Sequence, residues 1–203
     1  MFCGALVISL SLAASPVRAN SLTFGERTVL VFENQTSKSS HQFVLRIARF
    51  RPDIFLEWES LNHQGTVHLR KKAVAESKKL TVGRLFEAGV DMDSKDVMTN
   101  WFSVRLYQQL IREGSAKVYL NKRSTSLKLV EEETRVLIVD KVEVEIPVIR
   151  IQDNFEGTWI VHRNEDNPVL IEYRTQHYST ALKRISTSQS NHLRWIKQLP
   201  PVK

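Results

Sequence analysis

Residues 134–151, TRVLIVDKVEVEIPVIRI, contain two strand patterns around a two-residue turn. Valine, leucine and isoleucine dominate both sides of Asp140 and Lys141, and after the turn they alternate with glutamates. This composition and period-two alternation are typical of half-buried strands, and a two-residue turn joins such strands in a tight hairpin. Glu143 and Glu145 share one face, which the alternation marks as the solvated side of a sheet. The stretch therefore predicts an antiparallel sheet with one solvated face.

Strand patterns continue on both sides of this hairpin. Upstream, four candidate strands joined by short turns predict an antiparallel meander. Downstream, the turn NEDNP at 164–168 separates two further strands, because Asn and Asp tolerate turn dihedrals and proline fixes one. The predicted strands are 28–33, 43–51, 54–59, 66–73, 116–121, 126–131, 134–139, 142–151, 158–163, 169–174 and 179–186. We see no internal repeat and no linker, so we predict one domain.

One segment, 96–112, has helical periodicity instead. Residues 91–94 supply N-cap candidates, and Gly114 supplies a stop. The apolar residues of this segment cover an arc of about 220°, which predicts a helix covered on more than one side. We therefore predict a mostly β fold of the α+β class. It is a curved antiparallel sheet or half-barrel of about nine to eleven strands, packed on this one main helix.

The predicted core combines residues from the strands and from the helix. Its members are Leu56, Trp58, Val97, Trp101, Val104, Tyr107, Ile111, Ile138, Trp159, Ile171 and Leu182.

The N-terminus resembles a cleavable secretory signal. The apolar run 6–14 is too short to span a bilayer, which needs about 20 residues, and it precedes the A-x-A-like site at 17–19. We predict a signal peptide at 1–19 cleaved after Ala19, a domain at 20–186 and a C-terminal tail at 187–203. Cleavage removes Cys3, the only cysteine, which favours a bacterial periplasmic or secreted protein without disulfides. The alternative is a buried N-terminal segment of a cytosolic protein.

The sequence contains no local catalytic motif. Its six histidines show no metal-ligand spacing, and it has neither a nucleophile elbow nor a glycine-rich phosphate loop. We interpret the histidines as solvated strand residues. We predict no enzymatic activity, no metal and no other cofactor, while spacing alone leaves open a hydrolase site assembled from distant strands.

The charge distribution is uneven. The net charge is +7, and residues 38–84 hold ten basic and four acidic side chains. Such a basic face attracts anionic partners, and the predicted export argues against nucleic acid as the partner. The alternative interpretation is that the charge only keeps an envelope protein soluble. We expect a monomer.

The strand 43–51 changes character halfway along. Its odd positions are first apolar and then basic, at Arg49 and Arg51. Because an unpaired buried arginine costs several kcal/mol, either a bulge near Ala48 swaps the faces or the strand leaves the core at a rim. We favour the rim, where Arg49, Arg51 and Arg70 would contact an anionic surface such as lipid headgroups. The alternative is a solvated edge.

Two segments carry a family resemblance. Trp101-Phe102-Ser103, with Leu106-Tyr107 and Gly114, and the turn and strand 166–171 followed by 182–185 resemble a family of uncharacterised bacterial exported proteins. That family has a D-x-x-N-P-L-I-L turn and strand, where this chain has Val169 in place of the first leucine. The resemblance covers about 97–186, and the nearest named fold is the curved sheet of the lipoprotein-carrier (Lol-type) proteins. It implies export and a curved sheet, and it transfers no functional residue.

Two functions follow from these expectations. The first is a non-enzymatic periplasmic protein that binds an apolar, amphipathic or lipid-like ligand between sheet and helix. The second is a structural or partner-binding envelope protein with a filled core and basic contact faces.

Overall fold

The computed structural model describes residues 17–18, 22, 24–61, 63–82 and 91–187. Within these ranges the fold is mostly β, with one large curved sheet and two helices, which confirms the predicted mostly β composition and the curved sheet. The first seven strands are β1 Val17–Arg18, β2 Val29–Thr36, β3 Ser40–Phe50, β4 Ile54–Ser60, β5 His63–Leu69, β6 Lys79–Thr81 and β7 Met92–Ser94. The remainder are β8 Val97–Thr99, β9 Ser115–Leu120, β10 Arg123–Val139, β11 Val142–Asp153, β12 Thr158–His162, β13 Leu170–Arg174 and β14 Tyr178–Ser186. The helices are α1 Lys71–Glu76 and α2 Val104–Glu113.

Thirteen of the fourteen described strands follow one path, in the order β7-β5-β4-β3-β2-β14-β13-β12-β11-β10-β9-β6-β8, and β1 pairs with β11 beside it. Most pairings between long strands are antiparallel. Among the described strands five pairings are parallel: β1–β11, β5–β7, β6–β8, β6–β9 and the short contact β10–β14. The outermost strands β7 and β8 are separated in the chain by only Lys95 and Asp96. Since consecutive Cα atoms are about 3.8 Å apart, Ser94 and Val97 lie within about 11 Å of each other. The sheet therefore curves until its two ends meet.

The hairpin at 134–151 forms as its sequence predicts. Strands β10 and β11 pair from Leu127 opposite Asp153 to Val139 opposite Val142. Asp140 and Lys141 both have positive φ, 47° and 72°, as tight hairpin turns require. The predicted strands 126–131 and 134–139 are one strand, β10, whose register shifts between Leu129 and Glu131.

The predicted helix 96–112 is wrong at its start. Helix α2 begins at Val104, where the Ser103 hydroxyl accepts a hydrogen bond from the Leu106 N–H at 3.1 Å. The residues before it pair instead with strands: 97–99 form β8 beside β6. Gly114 ends the helix in the left-handed conformation (φ 68°), as predicted. Strand pairing at 97–99 and an isolated bridge at Trp101 thus replace the first part of the predicted helix.

Helix α1 is a second departure from the sequence prediction. The predicted strand 66–73 ends at Leu69, and the following residues form α1, which buries Ala73 and Val74. The two buried residues are adjacent in sequence, and a segment of six residues is too short to show either strand or helix periodicity.

The core is one contiguous cluster of apolar side chains. Seven predicted members are buried: Leu56, Trp58, Trp101, Tyr107, Trp159, Ile171 and Leu182. Val97 and Val104 are half-buried, and two predictions are wrong: Ile111 is 41% exposed and Ile138 is 39% exposed. Leu106, Tyr107 and Leu110 form the buried face of α2, so the helix is covered on one side and its wide apolar arc is only partly buried.

A buried carboxylate organises the turn between β11 and β12. Asp153 Oδ1 accepts hydrogen bonds from the N–H groups of Phe155 and Gly157, both at 2.8 Å, and Oδ2 accepts one from Trp159 Nε1 at 2.9 Å. The Trp159 ring packs on Tyr173 at a centroid distance of 4.1 Å. Burial, with a contribution from the Asp153 charge, raises the pKa of Tyr173 to about 12. A Cβ at Gly157 would lie 2.3 Å from Asp153 Oδ2, so only glycine fits there.

Candidate functional site

The three arginines predicted to contact an anionic surface lie at one end of the β3-β4-β5 meander. The last row of paired residues across these strands is Phe50, Ile54 and Leu69. Arg51 and Arg70 directly follow the outer members of this row, so their backbones lie at the same end of the sheet. Arg49 precedes it on β3 and is exposed.

A bulge explains the change of character along β3. Ile47 lies opposite Leu56 and Arg49 lies opposite Phe55, which leaves Ala48 as the extra residue. Because a bulge reverses the faces of the strand, Ile47 is fully buried while Arg49 is exposed. The bulge near Ala48 is therefore present, and it lies just before the end of β3 at Phe50. The contact of these arginines with an anionic surface stays a prediction.

Two of the three arginines already bind within the protein. Arg51 Nη2 donates to the carbonyl oxygen of Asp166, the guanidinium lies 5.7 Å from the Phe50 ring centroid, and burial lowers the pKa of Arg51. Arg70 donates twice to Asp93, from Nε to Oδ1 at 2.7 Å and from Nη2 to Oδ2 at 2.6 Å, and this pairing raises the pKa of Arg70. Arg49 is therefore the arginine best placed to bind an external anion.

Beside these arginines lies a cluster of titratable groups that the sequence does not reveal. His68 Nε2 lies 2.9 Å from Asp53 Oδ2, and His68 Nδ1 lies 3.7 Å from Asp93 Oδ1. Asp53 Oδ1 accepts the N–H of Lys71, the first residue of α1, at 2.7 Å. The hydrogen bond with His68 is the largest cause that lowers the pKa of Asp53. These contacts link β5 with β7 and with the first residue of α1. Within the described ranges no group of three or more such side chains could hold a metal ion.

His162 lies in the core, so its interpretation as a solvated residue is wrong. Its side chain is fully buried, and Nδ1–H donates to the carbonyl oxygen of Asn167 at 3.0 Å. Nε2 is buried without a hydrogen-bond partner among the described residues. Asn167 Oδ1 in turn accepts from Trp101 Nε1 at 3.0 Å. Burial lowers the pKa of His162, which holds the ring neutral.

We expect this histidine to make the fold sensitive to acid. Below the ordinary histidine pKa of 6.5 the unfolded chain binds a proton that the folded chain does not. The free energy of unfolding therefore falls as pH falls from 6.5 toward the lowered pKa, by up to about 1.4 kcal/mol per pH unit from this group. Urea unfolding at about pH 7.5 and about pH 5.5 measures this. His162→Asn keeps a donor for Asn167 without titrating, and equal pH slopes in both proteins would contradict the prediction.

Among the grooves lined by described residues, three lie on the outer surface of the sheet. The first, of about 280 Å³, lies on β3, β4 and β5 around Arg46 and Glu57. The second, of about 640 Å³, lies on β6, β8 and β9 around Tyr119. The third, of about 360 Å³, lies between the end of β10 and β13-β14, around Ile138. None of these three has a lining residue from α2.

Comparisons with known proteins add no family. No protein-family model matches the chain, and no curated protein gives a significant match. In the part of the chain that the structure describes, neither helix is long and apolar enough to cross a membrane. The family resemblance and the export signal stay predictions; residues 1–16 and 19 of that signal, and 188–203 of the predicted tail, lie outside the described residues.

Proposed function

We propose that this is a non-enzymatic bacterial envelope protein that binds other envelope components through its outer surface. We also propose that the fold is a half-barrel, in which the sheet curves round its own core and α2 covers part of that core. In this function the sheet is a rigid support, and its exposed basic side chains make the contacts.

The observation that carries the proposal is the packing between sheet and helices. Trp101 is 1% exposed, Phe102 is 2% exposed and Leu110 is fully buried. The Phe102 ring contacts Trp159 of β12 edge to face at a centroid distance of 5.9 Å, so side chains occupy this space. An apolar ligand between sheet and helix, the alternative, therefore has less support than binding by the surface.

Vesicle binding tests the proposal. We expect the protein to bind vesicles of mixed phosphatidylglycerol and phosphatidylcholine at low salt and to dissociate as salt rises, because exposed charges are screened. Arg49→Gln should weaken binding about fivefold, since one basic residue near an anionic surface contributes about 1 kcal/mol. Co-sedimentation measures both effects.

The matched control is Arg105→Gln, which removes an exposed arginine from α2. Equal loss in both variants would show non-specific attraction and contradict a role for the β3 end. Native mass spectrometry supplies the second readout. A two-chain lipid mass that stays with the protein through high salt would contradict the proposal and support the internal-ligand alternative.

A further inference from the structure

The groove on β6, β8 and β9 is a shallow site formed by three strands distant in sequence. In the parallel register Lys79 lies beside Val97 on one side and beside Tyr119 on the other. Leu80, the next residue of β6, is 2% exposed and points into the core. Lys79 and its two neighbours therefore lie in one row on the outer face.

Most of the surface area that lines this groove is apolar, and two lysines are among its lining residues. The Tyr119 side chain is 55% exposed although it is large and aromatic, and Val97 is half-buried. Lys79 and Lys122 both line the groove. Its volume, about 640 Å³, lies in the range of small-molecule sites, roughly 300–1,000 Å³.

The polar groups of the groove are held in place. Asn121 Oδ1 accepts from Thr81 Oγ1 at 2.8 Å and from the Val82 N–H at 3.3 Å, so a ligand would meet the amide NH₂ of Asn121 as a donor. Lys79 Nζ is paired with Asp96 Oδ2. An anionic group entering the groove would compete with Asp96 for this lysine.

We propose that this groove binds a single-chain anionic amphiphile of the fatty-acid class. The chain lies along Val97 and the Tyr119 ring, and the carboxylate lies between Lys79 and Lys122. The charge of the two lysines selects an anion, and the small apolar floor suits one chain. This site is separate from the β3 end and from the core, so it does not depend on the proposed function.

Isothermal titration calorimetry tests the site: the full chain is titrated with dodecanoate below its micelle concentration. We expect saturable binding of dodecanoate and none of dodecyltrimethylammonium, which has the same chain and the opposite charge. Tyr119→Ser should weaken dodecanoate binding about tenfold, while Tyr119→Phe, which retains the ring, should bind as the original protein does.

Charge variants change the affinity in opposite directions. Lys122→Glu should weaken dodecanoate binding about tenfold, whereas Lys128→Glu, the same change at an exposed position of β10, should leave it unchanged. Asp96→Asn removes the competing carboxylate from Lys79 and should tighten binding several-fold. Equal affinity for both amphiphiles, or affinity that neither Tyr119→Ser nor Lys122→Glu alters while their melting temperatures are unchanged, would overturn the proposal.

Discussion

Asp153→Ala is expected to lower the free energy of unfolding by about 4 kcal/mol. The carboxylate accepts three hydrogen bonds while only 5% of the residue is exposed. Alanine would leave the buried donors on Gly157 and Trp159, and the part-buried N–H of Phe155, without this acceptor. Hydrogen bonds to charged groups contribute about 1.5–3 kcal/mol each, and an unsatisfied buried donor costs about 1–3 kcal/mol. Urea unfolding followed by Trp fluorescence measures the loss.

Two controls separate this effect from a general loss of charge. Asp153→Asn keeps the size of the side chain but turns an amide donor toward one of the N–H groups. We therefore expect it to lower the free energy of unfolding by less than Asp153→Ala does. Asp166→Ala changes an exposed carboxylate in the turn at the other end of β12 and should alter stability by less than about 0.5 kcal/mol. Equal stability of Asp153→Ala and Asp166→Ala would show that the hydrogen bonds contribute nothing.

Trp101→Ala should destabilise the fold by about 3–5 kcal/mol, the usual cost of removing a buried aromatic side chain. Trp101 is 1% exposed and packs edge to face on Phe24 at a centroid distance of 6.4 Å. Its backbone forms an isolated bridge with Val169, and its Nε1–H donates to Asn167. The variant would therefore leave a cavity and an unpaired amide oxygen. Chemical denaturation gives the size of the loss.

Trp101→Phe fills most of that cavity but lacks the indole N–H. The destabilisation that remains in this variant therefore measures the hydrogen bond to Asn167. The matched apolar control is Ile111→Ala on α2, which is 41% exposed and should cost less than about 1 kcal/mol. A loss at Ile111 as large as that at Trp101 would contradict the assignment of Trp101 to the core and Ile111 to the surface.

Those two residues show how far the sequence predicts this fold. Period-two alternation identifies the long strands, and the turn at Asp140 and Lys141 fixes the central hairpin, because both signals are local. Helical projection placed Ile111 in the core together with Tyr107, since an apolar arc does not show which part of it a neighbouring strand covers. Trp101 is predicted as a buried residue of the helix 96–112, and it is buried instead in the extended segment before α2, where its backbone pairs with Val169.

The short strands mark the limit of such analysis. Strands β6, β7 and β8 have three residues each and pair in parallel with distant partners. Three residues carry no period, and their partners depend on the course of the whole chain.

The same limit applies to the candidate sites. The change of face near Ala48 was visible in sequence, and a bulge was one of two explanations for it. In contrast, the row of Val97, Lys79 and Tyr119 exists only after two long-range pairings have formed. His68 likewise meets Asp53 and Asp93 from separate segments. The sequence contains all of these residues, but it does not show which of them become neighbours in the fold.

The meeting of the two sheet ends at Lys95 and Asp96 has a consequence for self-association. A long open strand edge presents unpaired N–H and C=O groups and templates the addition of a second chain, the first step toward fibrils. Here the terminal strands β7 and β8 are short, and a two-residue connection carrying both signs of charge keeps them close together. Within the described residues, the path of the sheet thus ends in two three-residue strands beside a charged turn. We expect concentrated solutions of this protein to resist strand-to-strand polymerisation for that reason.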